Sequence, residues 1–258
     1  MANGYVNATK RLAQAMPWLE AATLGRVSGH TRIAQYGHTP TAAADTDVWE
    51  AAGAYPFQAA ATKLEILSAS ASDTAAGTGA RTFLLNGLDA NFNTVSETLT
   101  MSGVTPVQTV NSYLRVNSLS IATAGSGNTN AGDVTLRVTG AGATQALARA
   151  GYGYAKQCIY TVPNGFSLIV TDLLFEVGGT PAANVSITFS FTRIGPTGLI
   201  TTTNEYPTTP NAPVERHVFT GAMVPQTTTL TLRVKSIVTS TSGYAAFNGI
   251  LVDNTQIT

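Results

Sequence analysis

Residues 227–239 read TTTLTLRVKSIVT. Leu230, Leu232 and Val234 alternate with Thr231 and Arg233. Successive side chains of a strand point to opposite faces, so this period-two pattern predicts a strand with one buried face. The same signature recurs to either side. Residues 184–193 (NVSITFSFTR) set Val185, Ile187, Phe189 and Phe191 on one face, and residues 133–139 (DVTLRVT) do so with Val134, Leu136 and Val138.

Working outward, short strand patterns follow one another from residue 62. They cover 63–71 (KLEILSASA), 81–88 (RTFLLNGL), 94–101 (TVSETLTM), 113–123 (YLRVNSLSIAT), 167–177 (SLIVTDLLFEV) and 244–253 (YAAFNGILVD). Gly, Asn, Asp and Ser bound them. The stretch 87–94 (GLDANFNT) is suited to a hairpin loop, because Asp and Asn tolerate tight backbone angles. Many short strands with turn signals and almost no helix predict an all-β chain of two β-sandwich domains, plain or jelly-roll-like.

The densest Gly/Ala stretch, 140–154 (GAGATQALARAGYGY), marks the division. The expected organisation is an extended N-terminal arm over 1–57, a first sandwich over 58–143, a linker over 144–156 and a second sandwich over 157–258. The arm lacks sustained periodicity, although Leu12, Met16 and Leu19 allow a short helix over 7–20, interrupted by Pro17. It carries Trp18, Trp49, Tyr36, Tyr55 and Phe57, large rings that predict packing onto a surface, either its own domain's or a neighbour's.

Composition narrows the function. Hydrophobic residues make up 44% of the 258, a normal share, but charged residues only 11%, against about 25% in a typical soluble domain. Interface cores are depleted in charge, so the sequence predicts a surface occupied by protein contacts. Fourteen basic and fourteen acidic residues cancel, and no Lys/Arg run occurs, which argues against direct nucleic-acid binding and against a basic membrane-binding helix. No stretch reaches the length of a membrane span or a signal-peptide core, and the expectation is a soluble, non-exported protein. Cys158, the single cysteine, excludes an internal disulfide and reads as a small core residue.

Candidate chemistry is sparse. His30, His38 and His217 show no metal-ligand spacing. Residues 89–93 (DANFN) resemble the start of a calcium loop, but Thr94 and Thr100 stand where glycine and glutamate are needed. Gly140 and Gly142 lack the third glycine and the βαβ setting of a dinucleotide fingerprint. No nucleophile elbow is present, and Glu65, Glu97, Glu176, Glu205 and Glu215 are scattered as on a solvated surface. Asn184-Val185-Ser186 matches a glycosylation acceptor that a non-exported chain would not use. No catalytic residue, cofactor or metal is expected. Tyr152, Tyr154 and Tyr206 suit either an interface or a carbohydrate groove, because aromatic rings bury large areas at small entropic cost.

Two stretches, 86–138 (NGLDANFNTVSETLTMSG through GDVTLRV) and 150–179 (AGYGYAKQCIYTVPNGFSLIVTDLLFEVGG), with the closing GILVDN, resemble segments of structural proteins of tailed bacteriophages. The resemblance is carried by the GLDANFN hairpin with its ETLTM strand and by the QCIYTVPNG strand start. It implies a virion component assembled in the host cytoplasm and no enzymatic activity. The expectation is a capsid decoration (cement) protein, a homotrimer or other closed ring bridging capsomers of the major capsid protein. Trp18, Trp49, Tyr55, Phe57, Tyr152, Tyr154 and Tyr206 would be its contact anchors. A tail, collar or head-fibre component, a carbohydrate-binding adsorption module and, last, a polysaccharide depolymerase are the alternatives.

Overall fold

The computed structural model describes residues 18–40, 44–178, 187–195, 200–208, 214–236 and 242–256. The chain is nearly all β, as the alternation predicts. Among the described residues, helix is confined to α1 (Trp18–Thr23) and a 3-10 turn at Asn254–Gln256. The helix expected over 7–20 falls mostly outside the described residues, as do Pro17 and the 184–186 acceptor site.

Four small antiparallel sheets account for the described strand pairing. Sheet I has the order β6-β3-β8-β9, built from β3 (Thr62–Ser68), β6 (Val107–Tyr113), β8 (Val134–Val138) and β9 (Thr144–Ala148). Sheet II is β5-β4-β7, from β4 (Ala80–Leu88), β5 (Thr94–Thr100) and β7 (Arg115–Ala124). Between these two sheets lies one apolar core in which Leu64, Ile66, Phe83, Leu85, Tyr113 and Leu136 are fully buried. The 87–94 hairpin forms as its sequence suggests. Asp89 accepts the N–H groups of Asn91 at 2.8 Å and Asn93 at 2.9 Å, and Phe92 takes φ 61° at the tip. The carboxylate that a calcium loop would offer to a cation thus serves the turn's own backbone.

Residues 144–148, read from the sequence as part of a linker, form β9. Their small apolar side chains conceal the pattern: Ala146 and Ala148 fill the core at 0% exposure with little hydrophobic signal of their own.

Sheet III is β10-β15-β12-β13, from β10 (Ile159–Thr161), β12 (Ile187–Ile194), β13 (Ile200–Thr208) and β15 (Thr229–Ser236). Sheet IV is β1-β16-β11-β14, from β1 (His30–Thr39), β11 (Phe166–Gly178), β14 (Val214–Val224) and β16 (Ser242–Asp253). Leu230, Leu232 and Val234 are all fully buried, in one core with Leu168, Val170, Phe175 and Phe247. At about 1.5–3 kcal/mol for each large apolar side chain removed from water, these stripes dominate the favourable side of folding.

The arm contributes much of this half. Residues 30–39 pair along their whole length with β16, from His30 opposite Val252 to Thr39 opposite Gly243. Alternation is weak there because the outward positions Arg32, Ala34, Tyr36 and His38 mix polar with apolar, as do the inward positions Ile33, Gln35, Gly37 and Thr39. After β2 (Ala44–Asp47), Val48 enters the second core. Its N–H donates to Leu232 O and its carbonyl accepts from Cys158 N. β1 passes so close to this segment that a Cβ on Gly37 would lie 2.4 Å from Val48 O and 2.5 Å from Cys158 N.

Candidate interaction surface

Strand parity decides what sheet IV shows to solvent. On β16, Gly243, Ala245, Phe247 and Gly249 face inward, leaving Tyr244, Ala246 and Asn248 on the outer face. The register extends this face across the sheet. Tyr36, Ala246 and Leu174 form one cross-strand row, and His38, Tyr244 and Glu176 the next. Leu174 and Met223 are exposed on it, while α1 and its following turn cover the far end, where Ala22 and Val27 meet Ile250 and Ile169.

A second element completes the surface. In the loop 149–156, Gly151 (φ 84°) and Gly153 (φ 74°) adopt backbone angles that only glycine takes without strain. Asn130, itself 1% exposed, holds this loop: its Nδ2 donates to the carbonyls of Gly132 (2.7 Å) and Arg149 (2.9 Å), and its Oδ1 accepts Gly153 N (2.8 Å). Ile121 N donates to Gly153 O and Ala155 N to Leu119 O, which pins the loop to β7. The result is a rigid mount for Tyr152 (51% exposed) and Tyr154 (40%), beside Tyr36 (37%) on β1.

Lys156 ties the two elements together. It is buried, yet its ammonium lies 3.2 Å from the Tyr152 ring centroid and 5.7 Å from that of Tyr36. Tyr36 and Tyr244 stack at 6.4 Å, and the His38 ring lies 4.6 Å from Tyr244. Burial, followed by the neighbouring Tyr244, Tyr154, Glu176 and Glu50, pushes the Tyr36 phenol up to about 12, so it remains a neutral hydrogen-bond donor.

Beneath the rings, Glu50 accepts His38 Nδ1 at 2.9 Å and Arg149 Nε at 3.3 Å. Arg149 reaches on to Asp133 at 2.8 Å and to Glu50 O at 3.1 Å. This network uses groups from the arm, from Asp133 just before β8 and from the 149–156 loop, so the tyrosine surface rests on a junction of all three. His30 is elsewhere: eight residues along one strand separate it from His38 by about 26 Å. The backbone of His217 stands opposite Asp172 in β14. Among the described residues, no group of three or more His, Cys, Asp or Glu is placed to hold a metal ion, and no helix is long and apolar enough to cross a membrane.

The sequence-derived anchors divide. Tyr152 and Tyr154 stand on the surface just described. Trp49, Tyr55 and Phe57 instead pack on one another and on Ile159 inside the chain, Trp49 edge-on to Tyr55 at 4.9 Å between ring centroids and Tyr55 tilted against Phe57 at 4.8 Å. Tyr55 also donates its hydroxyl to Gln145 O at 2.8 Å, so these rings join the arm to the first half. The side chains of Trp18 and Tyr206 lie outside the described residues, although the Tyr206 backbone is paired opposite Phe189. Tyr36 is among the arm's rings read from the sequence, but Tyr244, Lys156, Leu174 and Met223 escape that reading, because only the pairing of β1, β16, β11 and β14 and the course of the 149–156 loop bring them to this surface.

No protein-family model matches the chain, and no curated protein does. One solved structure, that of infectious bursal disease virus Gt strain, aligns over 92% of this chain and 78% of its own at 9% identity, with a TM-score of 0.23. So low a score carries no argument about fold or function.

Proposed function

We propose that this chain is a structural, non-enzymatic protein of a tailed-phage virion, and within that class a decoration protein that stabilises the head. Its two sheet pairs are read as two β-sandwiches of jelly-roll-like type, assembled as a homotrimer or similar ring against the major capsid protein, in particles built in the host cytoplasm. The observation that carries the docking role is the outer face of sheet IV. Tyr36, Tyr244, Leu174 and Met223, with Tyr152 and Tyr154 beside them, set aromatic and aliphatic side chains among Arg32, Asp172 and Glu176 on a pre-ordered frame. Such a surface gains from burial and loses little side-chain freedom when covered. Balanced net charge supports a place away from packaged DNA. The phage choice rests on the sequence resemblance at 86–138 and 150–179.

The test is to locate and count this chain in intact particles by reconstruction and quantitative mass spectrometry. Hundreds of copies on the shell are expected, whereas a dozen or fewer would move it to tail, collar or fibre. A purified chain that stays monomeric and never associates with particles would end the reading. A carbohydrate-binding adsorption module is the second reading, favoured by three exposed, rigidly mounted tyrosines. It ranks lower because Lys156 already covers one face of Tyr152. Binding on a glycan array that is lost in Tyr152→Ala and Tyr154→Ala would favour it.

A further inference from the structure

A cleft of about 440 Å³ lies between the two halves. One side is lined by five consecutive β1 residues, Thr31, Arg32, Ile33, Ala34 and Gln35. A strand face would contribute every second residue, so the cleft runs along the edge of the strand. β1 is the outermost strand of sheet IV, and β16 is its partner. Among the described residues, no backbone hydrogen bond reaches 31–35 from the cleft side. Alternate N–H and C=O groups of this stretch therefore face the cleft, the arrangement that invites another strand.

The opposite wall comes from β7 and β4, through Asn117, Ser118 and Asn86. At this wall side-chain amides already act as main chain does. Asn117 both donates to Thr161 O and accepts Thr161 N at 2.9 Å, and Gln35 Nε2 reaches Asn117 O at 3.1 Å. We propose that the cleft receives an extended segment of another polypeptide, which adds a strand to sheet IV along β1. A ladder of amide donors and carbonyl acceptors is matched by main chain and by no other common ligand. A strand added there would lie about 4.8 Å from β1 and run about 17 Å over five residues, displacing the Gln35–Asn117 contact that joins the two walls at one end. A second copy would bring its β1 together with the wall of Asn86, Asn117 and Ser118 that flanks it, whereas a free-standing tail or arm carries no such wall, so the occupant is the latter. Arg32 is the one ionic side chain on the described lining; its Nη2 lies 3.5 Å from Asn248 Oδ1, a long neutral contact that a carboxylate on the incoming segment would replace with a stronger one, while a lysine there would be repelled.

The proposal is independent of the virion reading, and its test needs no known partner. The full chain is panned against a displayed library of random ten-residue linear peptides, with counter-selection on Ala34→Lys. Ala34 and Thr31 are exposed, and Thr31→Lys supplies a second block should the first variant fold poorly. The expected result is a set of Asp- or Glu-bearing peptides that protect the amides of 31–35 from hydrogen exchange. Their affinity should fall at least tenfold in either lysine variant, and likewise when alternate peptide nitrogens are methylated. The proposal is overturned if no peptide distinguishes the wild type from the lysine variants, or if N-methylation leaves affinity unchanged. It is equally overturned if the wild type alone forms dimers that Ala34→Lys dissociates, which would mean self-pairing.

Discussion

The ammonium of Lys156 rests 3.2 Å from the centre of the Tyr152 ring and 5.7 Å from that of the Tyr36 ring. A cation–π contact of this kind contributes about 0.5–2 kcal/mol, with the larger values where water is excluded. In a double-mutant cycle of Lys156→Met and Tyr152→Leu, denaturant unfolding should return a coupling of about 1 kcal/mol. Simple additivity would mean that the ring and the ammonium do not act on each other.

Tyr36 gives a pH signature. Its phenol is raised from about 10 to about 12, so the folded state keeps a proton that the unfolded state releases first. Its contribution is complete below pH 10 and is lost as pH rises through 12. In alkaline titration followed by tyrosinate absorbance, the difference between wild type and Tyr36→Phe should have a midpoint near 12. A midpoint near 10 would place this phenol in open solvent.

Asp73 is fully buried and accepts four hydrogen bonds, from Ser68 Oγ (2.5 Å), Ala80 N (2.7 Å), Ala131 N (2.8 Å) and Gly132 N (3.0 Å). Asp73→Ala strands these donors in the first half, so a loss of about 3 kcal/mol or more is expected in chemical denaturation.

Gly37→Ala would drive a Cβ into two backbone atoms, Val48 O and Cys158 N, neither of which can rotate away. The expected destabilisation is about 1–3 kcal/mol, seen as a lower denaturation midpoint. Amide exchange should rise first at Val48 and Cys158.

Asn130→Ala removes the clamp on the 149–156 loop. Exchange at Gly151 and Gly153 should accelerate, and any assembly or glycan binding that uses Tyr152 should weaken even though no ring has been altered.

What could be read from the sequence depended on side-chain size and on the number of neighbours a strand has. Leu230, Leu232 and Val234 announced a buried face because each is large and apolar. Ala146 and Ala148 are as deeply buried, but their composition looks like a linker. β1 was illegible for a different reason: its burial alternates, but Ala34 and Tyr36 point outward while Gln35, Gly37 and Thr39 point inward, so hydropathy does not follow. Trp49, Tyr55 and Phe57 were recognisable as anchors, and what they anchor to is Ile159 and Gln145 of the same chain. The tyrosine surface required register, since Tyr36 and Tyr244 are more than 200 positions apart and meet only through antiparallel pairing.

The closure of sheet IV by β1 has a kinetic consequence. His30 cannot find Val252 until β16 exists, so during synthesis the early segment waits, its edge and apolar residues uncovered, while more than 200 residues emerge. Sheets I and II, whose strands all lie between residues 62 and 148, can form in that interval. Pairing over such distances is slow because a long loop must close before any contact repays it. Refolding of the whole chain should therefore show sheets I and II maturing first and β1 docking last.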